Sequence, residues 1–230
     1  MSARRISRCS PRAPIFGTPR LNLAKIVEAL AETGALAVPL LGDEWRLSLL
    51  DAAHASRFRA ARPLVGKGER LVRQRMEVCE HFSADSVFRT LAGEFQALWD
   101  DLLENVSSTP FTGRLVFNDL MLQRYSIGEV GITPHRDRTD YRNLVCLFIL
   151  EGKGRFYLCD DRAGSGAREI PHVAGDVVLM RAPGFQGSAE RPFHFVRDIQ
   201  SPRTVFGLRQ EHAGDNPRGA NGVAPAHGVS

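Results

Sequence analysis

The second half of the chain is a series of short apolar segments separated by turn residues, and this pattern limits the fold more than any other feature. The segments are rich in Val, Leu, Phe and Tyr, and turns such as Gly152-Lys153-Gly154 and Gly164-Ser165-Gly166 separate them. Six or more short strands at such intervals are typical of a sandwich or barrel rather than of alternating βαβ units. The predicted strands cover residues 115–125, 142–150, 155–159, 176–180, 192–196 and 203–211.

In the first half of the chain, apolar residues have the spacing of helices. Apolar residues recur there at the intervals that place them on one helical face. Asp43 is the expected N-cap of the second helix, and either Ser83 or Asp85 is the expected N-cap of the third, because each side chain can accept a hydrogen bond from the first turn. The predicted helices cover residues 21–33, 43–56 and 83–106, and two predicted strands cover 35–41 and 71–79.

These two halves predict an α+β fold. We expect a double-stranded β-helix (jelly-roll) core at residues 111–211, supported by N-terminal helices at residues 21–110. Together they form a single predicted domain, residues 21–211.

Both ends of the chain differ from the rest in composition. Residues 1–20 hold five arginines and no acidic residue, and residues 212–230 are rich in Gly, Pro, Ala and Asn, so we expect two disordered tails. The net charge of the chain is +4, and residues 21–230 therefore sum to about −1. The basic character of the whole chain thus gives no indication of nucleic-acid binding.

Composition also bears on the compartment. No apolar run approaches the ~18 residues that a membrane span requires, so no membrane partner is expected. The four cysteines are widely spaced and form no C-x-x-C pair, which is typical of a reducing compartment. The sequence therefore predicts a soluble cytoplasmic protein.

Three residues form the pattern that carries chemistry. His135 and Asp137 stand two positions apart, and His194 follows in a later predicted strand. Side chains at i and i+2 of a strand leave the same face, so His135 and Asp137 can bind one ion together, and a histidine on a facing strand completes the set. Two imidazoles and one carboxylate suit a divalent first-row metal and leave its other face open.

Two arginines in the last strand strengthen this interpretation. Arg203 lies nine residues after His194, and Arg209 lies six residues beyond Arg203, so both guanidinium groups can point into the barrel. A buried arginine is costly unless it meets an anion, and a dicarboxylate offers a bidentate partner.

With these residues, the region from about 115 to 211 resembles the core of the Fe(II)/2-oxoglutarate-dependent dioxygenases. The nearest branch is the AlkB-like group, which has an Asn-x-Tyr element, H-x-D, a distal His and an Arg-x-Asn-x-Thr-x-Arg strand. Here the corresponding elements are Gln123-Arg124-Tyr125, His135-Arg136-Asp137, His194 and the strand from Arg203 to Arg209. Gln replaces the first Asn of the branch pattern, and Val and Gly replace the Asn and Thr between the arginines.

The resemblance implies that His135, Asp137 and His194 hold Fe(II). It also implies oxidative decarboxylation of 2-oxoglutarate by O₂ to succinate and CO₂, coupled to oxidation of a substrate C–H bond. Family members that halogenate carry a small residue in place of the carboxylate. The presence of Asp137 therefore implies hydroxylation or oxidative demethylation.

The resemblance further implies three cosubstrate contacts. Arg203 pairs with the distal carboxylate of 2-oxoglutarate, Arg209 lies near its other carboxylate, and Tyr125 donates a hydrogen bond to it. For two of these residues a structural interpretation stays open. Tyr125 also fits an ordinary core position, and Arg209 also fits an ordinary salt bridge.

The remaining histidines are interpreted as structural. His172 precedes the Gly175-Asp176 turn, too early for the distal ligand, and is expected in a loop. We expect His54 and His81 to be surface or packing residues of the helical half. His212 and His227 fall beside or within the C-terminal tail.

The sequence leaves more than one substrate class open. Residues 57–75 hold a cluster of basic residues, which in a nucleic-acid oxygenase would contact phosphates. We favour the interpretation that this basic segment is a solvent-exposed face, paired with acids such as Glu77, Glu80, Asp100 and Asp101. A small-molecule substrate is therefore preferred, an AlkB-like nucleic-acid demethylase is the second candidate, and a non-enzymatic cupin-like binding protein is the alternative of another class.

Overall fold

The computed structural model describes residues 13–17, 21–104 and 106–212 of the chain. The other residues of the two expected tails lie outside this range. Residues 13–17 were expected in the N-terminal tail, yet they lie against the folded body. Phe16 forms a β-bridge with Leu41, and the Trp45 indole Nε1 donates a hydrogen bond to the Ala13 carbonyl at 2.9 Å.

The first helix ends at Thr33 as predicted and begins two residues later than predicted, at Leu23. The Asn22 side chain accepts a hydrogen bond from the backbone N–H of Lys25 at 3.1 Å, and Gly34 ends the helix with a φ of +90°. Glycine adopts this left-handed conformation at little cost, which makes it a common C-terminal residue. The three α-helices within the described residues are α1 (Leu23–Thr33), α2 (Asp43–His54) and α3 (Val87–Glu104).

The caps predicted for the other two helices are wrong. Gly42 precedes α2, and Asp43 lies in its first turn, where a carboxylate still stabilises the helix dipole. Helix α3 starts later than expected, after Ser83 and Asp85. The Ser86 hydroxyl accepts a hydrogen bond there from the backbone N–H three residues on, at 3.3 Å.

The six strands predicted in the second half are all present, but the structure has two further strands there that were not predicted, and the first half adds several short ones. A 3-10 turn, Gly68–Arg70, lies between two of them. The thirteen strands within the described residues are β1 (Ala35–Pro39), β2 (Arg59–Ala60), β3 (Leu64–Val65), β4 (Val72–Arg73), β5 (Met76–Cys79), β6 (Asp119–Tyr125), β7 (Gly128–His135), β8 (Tyr141–Glu151), β9 (Arg155–Cys159), β10 (Arg168–Glu169), β11 (Asp176–Arg181), β12 (Phe193–Ile199) and β13 (Arg203–Glu211).

Two antiparallel sheets build the core. The major sheet has the strand order β1-β11-β8-β13-β6-β5-β2, and the minor sheet has the order β10-β9-β12-β7. A separate two-stranded hairpin joins β3 and β4. Apolar residues of both large sheets form one shared cluster, so the sheets face each other. This arrangement confirms the predicted double-stranded β-helix with supporting helices.

Two details of the prediction require correction. The strands predicted at 35–41 and 71–79 join the core, because β1 and β5 extend the major sheet, and β2 adds a strand there that was not predicted. The segment 71–79, predicted as one strand, divides into β4 and β5. The backbone N–H of Arg75 between them donates to the Gly131 carbonyl of β7 at 2.7 Å, so this segment connects to both large sheets.

The central strand β8 separates two apolar clusters. Its residues alternate, so that Phe148 packs with the helices and Ile149 packs between the sheets. The same alternation in β13 sends Phe206 toward the helices and Val205 toward the space between the sheets. Arg203 and Arg209 share the parity of Val205 and therefore point into the barrel.

Candidate metal centre

Two histidines face each other across neighbouring strands. His194 near the start of β12 pairs with His135 at the end of β7 in the antiparallel register, and their ring centroids are 4.3 Å apart. The Phe156 ring of β9 stacks on His194 at 5.6 Å. The sheet register therefore brings together two residues that are far apart in the sequence.

Asp137 completes the cluster from a loop. Strand β7 ends at His135, so Asp137 does not lie on the same strand as the spacing argument assumed. Its carboxylate Oδ1 nevertheless lies 3.9 Å from His135 Nε2 and 3.7 Å from His194 Nε2. The ligand atoms of these three residues all lie within 4.8 Å of one another.

Backbone carbonyls orient both imidazole rings. His135 Nδ1 lies 3.0 Å from the Thr133 carbonyl oxygen, and His194 Nδ1 lies 3.2 Å from that of Pro192. Because a carbonyl only accepts, these contacts place a proton on each Nδ1 and leave each Nε2 on the side of Asp137. In metal sites the histidine nitrogen that does not bind the metal is generally held in this way by a carbonyl or a carboxylate, which fixes the orientation of the ring.

The protonation states also suit a metal. Burial, helped by the neighbouring His194, lowers the pKa of His135 to about 4 against the attraction of Asp137. Burial works to raise the pKa of Asp137, but the two histidines, Arg209 and Arg191 together hold it below its usual value. At neutral pH the site thus offers a neutral imidazole and a carboxylate, the forms that bind a cation.

A narrow cavity lies beside these three residues. We call it the inner cavity; it has a volume of about 40 Å³. Tyr125, Arg203 and Arg209 all line it, together with the three residues of the metal centre. The structure therefore brings all six predicted site residues around one space.

Arg203 is the least exposed charged residue of this cavity, with 1% of its surface accessible. Its Nη2 donates to His172 Nε2 at 3.2 Å, and its Nε has no hydrogen-bond partner among the described residues. Burial lowers the pKa of its guanidinium, and Tyr125, across the β13–β6 register, opposes that change. A buried cation without an anion is the feature expected of a binding site for a carboxylate.

Tyr125 lies within this arrangement and is itself buried. The Arg203 guanidinium lies 5.5 Å from the centroid of the Tyr125 ring. Burial raises the pKa of the Tyr125 hydroxyl, while Arg203 and Arg209 counteract it. The phenol therefore keeps its proton at neutral pH and is able to donate a hydrogen bond into the cavity.

The surroundings of Arg209 fit both interpretations given for it, an ordinary salt bridge and a contact with the cosubstrate. Its Nη1 lies 3.5 Å from the Asp119 carboxylate, yet the same nitrogen has no hydrogen-bond partner of good geometry among the described residues. A Cβ atom on Gly207 would lie only 2.8 Å from that nitrogen. Gly207, which departs from the Thr of the AlkB-like pattern, therefore leaves the space that the Arg209 guanidinium fills.

His172 is the residue that sequence reasoning missed. It was assigned to a loop and lies in one, but the loop folds back so that the imidazole accepts the Arg203 hydrogen bond. Its Nδ1 lies 2.8 Å from the Ile170 carbonyl, which leaves Nε2 as the acceptor. Burial, together with Arg203, lowers the pKa of His172 and favours this neutral form. No local pattern marks such a contact.

The other described histidines lie outside the site, as expected. His54 bonds Glu151 at 3.0 Å on the surface, and His81 is exposed. His212 lies at the end of the described residues, where its backbone N–H donates to the Asp140 carbonyl. His227 falls outside the described residues.

Comparison with known proteins gives a clear result for the fold. No family model matches the chain, and no curated protein matches its sequence. Among solved structures, a Pseudomonas putida prolyl-4-hydroxylase is similar with a TM-score of 0.57 at 16% identity, over 82% of this chain and 98% of that one. An oxidoreductase of the 2OG-Fe(II) oxygenase family from Burkholderia pseudomallei gives 0.53 at 14% identity, over 84% and 92%.

A third similar structure widens the chemistry within this fold. The non-heme alpha ketoglutarate dependent epimerase SnoN from nogalamycin biosynthesis gives a TM-score of 0.56 at 15% identity, over 83% of both chains. The chain thus has the fold of the 2-oxoglutarate/Fe(II) oxygenases. At these identities the likeness establishes the fold, and any conclusion on chemistry rests on the side chains described above.

Proposed function

We propose that this chain is an Fe(II)- and 2-oxoglutarate-dependent dioxygenase that hydroxylates or oxidatively demethylates an organic substrate. The observation that carries the proposal is the convergence of His135, Asp137 and His194 beside a buried, anion-free Arg203. The proposed catalytic domain is the single domain of residues 21–211.

The donor set fits ferrous iron. Two imidazoles and one carboxylate on one side of an ion form the facial triad of non-haem Fe(II) oxygenases and leave open positions for cosubstrate and O₂. When bound, the iron supplies the activation of O₂ that couples decarboxylation of 2-oxoglutarate to oxidation of the substrate. His135, Asp137 and His194 hold the metal, and Thr133 and Pro192 keep the two rings in place.

The inner cavity has the polar groups that a keto diacid requires. Arg203 pairs with one carboxylate of 2-oxoglutarate, and the protonated Tyr125 hydroxyl donates to the cosubstrate. Arg209 lies near the other carboxylate while Asp119 limits its movement. The apolar side chains that line the same cavity, such as Phe156, exclude water from the reacting groups.

Anaerobic titration with Fe(II) and 2-oxoglutarate tests the proposal. The wild-type protein should develop a visible metal-to-ligand charge-transfer band, and His135→Ala should abolish it. His54→Ala is the matched control, because His54 lies on the surface and should leave the band unchanged. Absence of the band with the wild-type protein would instead favour a non-enzymatic cupin-like binding protein.

A small-molecule substrate is the preferred class, and an AlkB-like nucleic-acid demethylase is the second candidate. One finding favours the second candidate. Of the basic side chains between residues 57 and 75, only Arg59 forms an ion pair among the described residues, with Glu80. Glu77 pairs with Arg124, and Asp100 pairs with Arg114, so the acids expected to neutralise this segment do so only in part.

Succinate formation separates these candidates. A panel of metabolites and a set of methylated oligonucleotides should be compared as stimulators of 2-oxoglutarate turnover. Stimulation by metabolites alone supports the preferred class. Stimulation by oligonucleotides alone, with a steep salt dependence, would support the demethylase.

The cytoplasm remains the proposed compartment. Cys79, Cys146 and Cys159 are free thiols, and all three are buried. Reduced cysteines are usual where glutathione and thioredoxin act. No helix among the described residues is long and apolar enough to cross a membrane.

A further inference from the structure

A second and larger cavity opens next to the metal centre. We call it the outer cleft; it has a volume of about 590 Å³ and lies where the ends of β9, β11 and β12 meet the end of α1. Four arginines and two acidic residues line it, which gives the lining a net positive charge. These charged residues are Arg136, Arg168, Arg181, Arg191, Asp160 and Glu190.

Three of the four arginines form no ion pair within the described part of the chain. Arg136 lies over the Phe193 ring at 4.1 Å, Arg168 Nη2 donates to the Thr33 carbonyl at 3.4 Å, and Arg191 Nη1 donates to the Asp137 carbonyl at 2.6 Å. A cation over an aromatic face or against a carbonyl keeps its full charge. These contacts therefore orient the guanidinium groups without neutralising them.

The fourth arginine is held firmly but is not fully satisfied. Arg181 Nη2 donates to Glu190 at 2.6 Å, and its Nη1 donates to the Ala31 carbonyl at 2.9 Å. Its Nε is buried and has no hydrogen-bond partner among the described residues. A buried donor without a partner is unfavourable, and an anion in the cleft would supply an acceptor.

The outer cleft lies next to the metal ligands. The guanidinium of Arg191, which lines the cleft, donates to the backbone carbonyl of Asp137, one of the three residues of the metal centre. A narrow cavity lined by Asp137 also shares Arg181 and Arg191 with the cleft. A molecule held in the cleft would therefore lie close to the metal centre, while the inner cavity beside Arg203 stays free for the cosubstrate.

We propose that the outer cleft binds an anionic group of the substrate, so that the substrate is a small molecule bearing a carboxylate or a phosphate. This inference rests on the proposed oxygenase function and specifies its substrate class. Planar guanidinium groups match both anions with paired hydrogen bonds, which explains why arginine and not lysine lines the cleft.

The position of the other basic surface favours a small molecule over a nucleic acid. No residue of the basic segment 57–75 lines the outer cleft. A nucleic acid makes several phosphate contacts along a continuous track, whereas the four arginines surround a single cleft. One anionic group is the ligand that this arrangement of arginines fits.

Calorimetry on the loaded protein tests the proposal. The full chain is first saturated with Mn(II) and 2-oxoglutarate, and this step measures cosubstrate binding independently of turnover. Phenyl phosphate, benzoate and benzyl alcohol are then titrated, since they share a ring and differ in charge. Both anions, or one of them, should bind more tightly than the alcohol, and the comparison shows which anion the cleft prefers.

Two variants locate the binding. Arg168→Gln should weaken anion binding about tenfold, and the Arg136→Gln/Arg168→Gln double variant should weaken it further, toward about a hundredfold, because each removes charged hydrogen bonds. Arg168→Lys should recover part of the loss. Arg89→Gln is the matched control, because Arg89 is exposed on α3 and lines none of these cavities.

The outcomes separate the two proposals. Failure of Mn(II) and 2-oxoglutarate to bind would overturn the oxygenase function and this inference with it. Normal cosubstrate binding would leave the oxygenase function standing, and equal binding of anions and alcohol, or no effect of the Arg168 variants, would then overturn the inference alone. Tight binding of an oligonucleotide without binding of either small anion would also overturn it.

Discussion

At the scale of single residues, Arg203 and His172 form the contact on which the proposed cosubstrate binding depends. Arg203 is buried, and its hydrogen bond to His172 goes to a neutral imidazole and not to an anion. Removing a cation from water costs several kcal/mol unless an opposite charge compensates it. His172 therefore orients the guanidinium while leaving its charge for a ligand, and we expect it to act as a positioning residue.

His172→Ala should weaken 2-oxoglutarate binding about tenfold, because the Arg203 guanidinium loses the acceptor that orients it. His172→Gln should recover much of the affinity, since its amide oxygen is also an acceptor. Calorimetric titration of 2-oxoglutarate into the Mn(II)-loaded protein measures both effects. Equal affinity in all three proteins, or equal loss in both variants, would contradict the positioning role.

The proposed metal ligands and both arginines were predicted from the sequence because their spacing carries information. Side-chain alternation along a single strand predicted that Arg203 and Arg209 share a face. His172 could not be found in this way. Its contact with Arg203 depends on how a loop folds over another strand, and the residues near His172 in the sequence do not predict the course of that loop.

At the scale of elements, strand β13 shows how one segment serves the helices and the cavity together. Phe206 and Leu208 pack with the helices, whereas Arg203, Val205 and Arg209 line the inner cavity. The absence of a side chain on the intervening Gly207 makes room for the Arg209 guanidinium.

Gly207→Ala should therefore displace Arg209 without breaking the strand. The added Cβ would lie 2.8 Å from Arg209 Nη1, and alanine is well tolerated in the extended backbone of a strand. We expect weaker 2-oxoglutarate binding, by about three- to tenfold, with Mn(II) affinity almost unchanged. Gly93→Ala in α3 is the control, because no atom lies within 4 Å of a Cβ there. Unchanged 2-oxoglutarate affinity in Gly207→Ala would place Arg209 outside the cosubstrate site.

Sequence patterns predicted the elements unevenly, for a physical reason. Strands β9 and β13 were predicted with their observed bounds, because their side chains point alternately to two faces that both pack against apolar residues. Strand β7 was not predicted, because Gly128, Gly131 and Pro134 interrupt its pattern. It is nevertheless a strand because β12 pairs with it, and such long-range pairing leaves no mark in the local sequence.

At the scale of the whole molecule, the buried metal centre links stability to pH. The pKa of His135 is about 4 in the folded protein against 6.5 for an ordinary histidine. The unfolded chain therefore binds more protons between these values, so that stability is full above pH 6.5 and falls as the pH drops toward 4. The total effect is about 3 kcal/mol.

Urea unfolding of the chelator-treated protein at about pH 7.5 and about pH 4.5 measures this effect. The loss of unfolding free energy at the lower pH should be smaller in His135→Gln than in the wild type, because the glutamine does not titrate. His54→Gln, which removes an exposed histidine, should behave like the wild type. An identical pH dependence in all three proteins would show that His135 is not held neutral by burial.

The walls of the inner cavity belong to different layers of the barrel. His135 and His194 stand on the minor sheet, whereas Tyr125, Arg203 and Arg209 stand on the major sheet. An ion and a diacid that contact each other would therefore link the two sheets. Binding of either one should raise the affinity of the protein for the other by the same factor. The two together should raise the melting temperature by more than the sum of their separate increases.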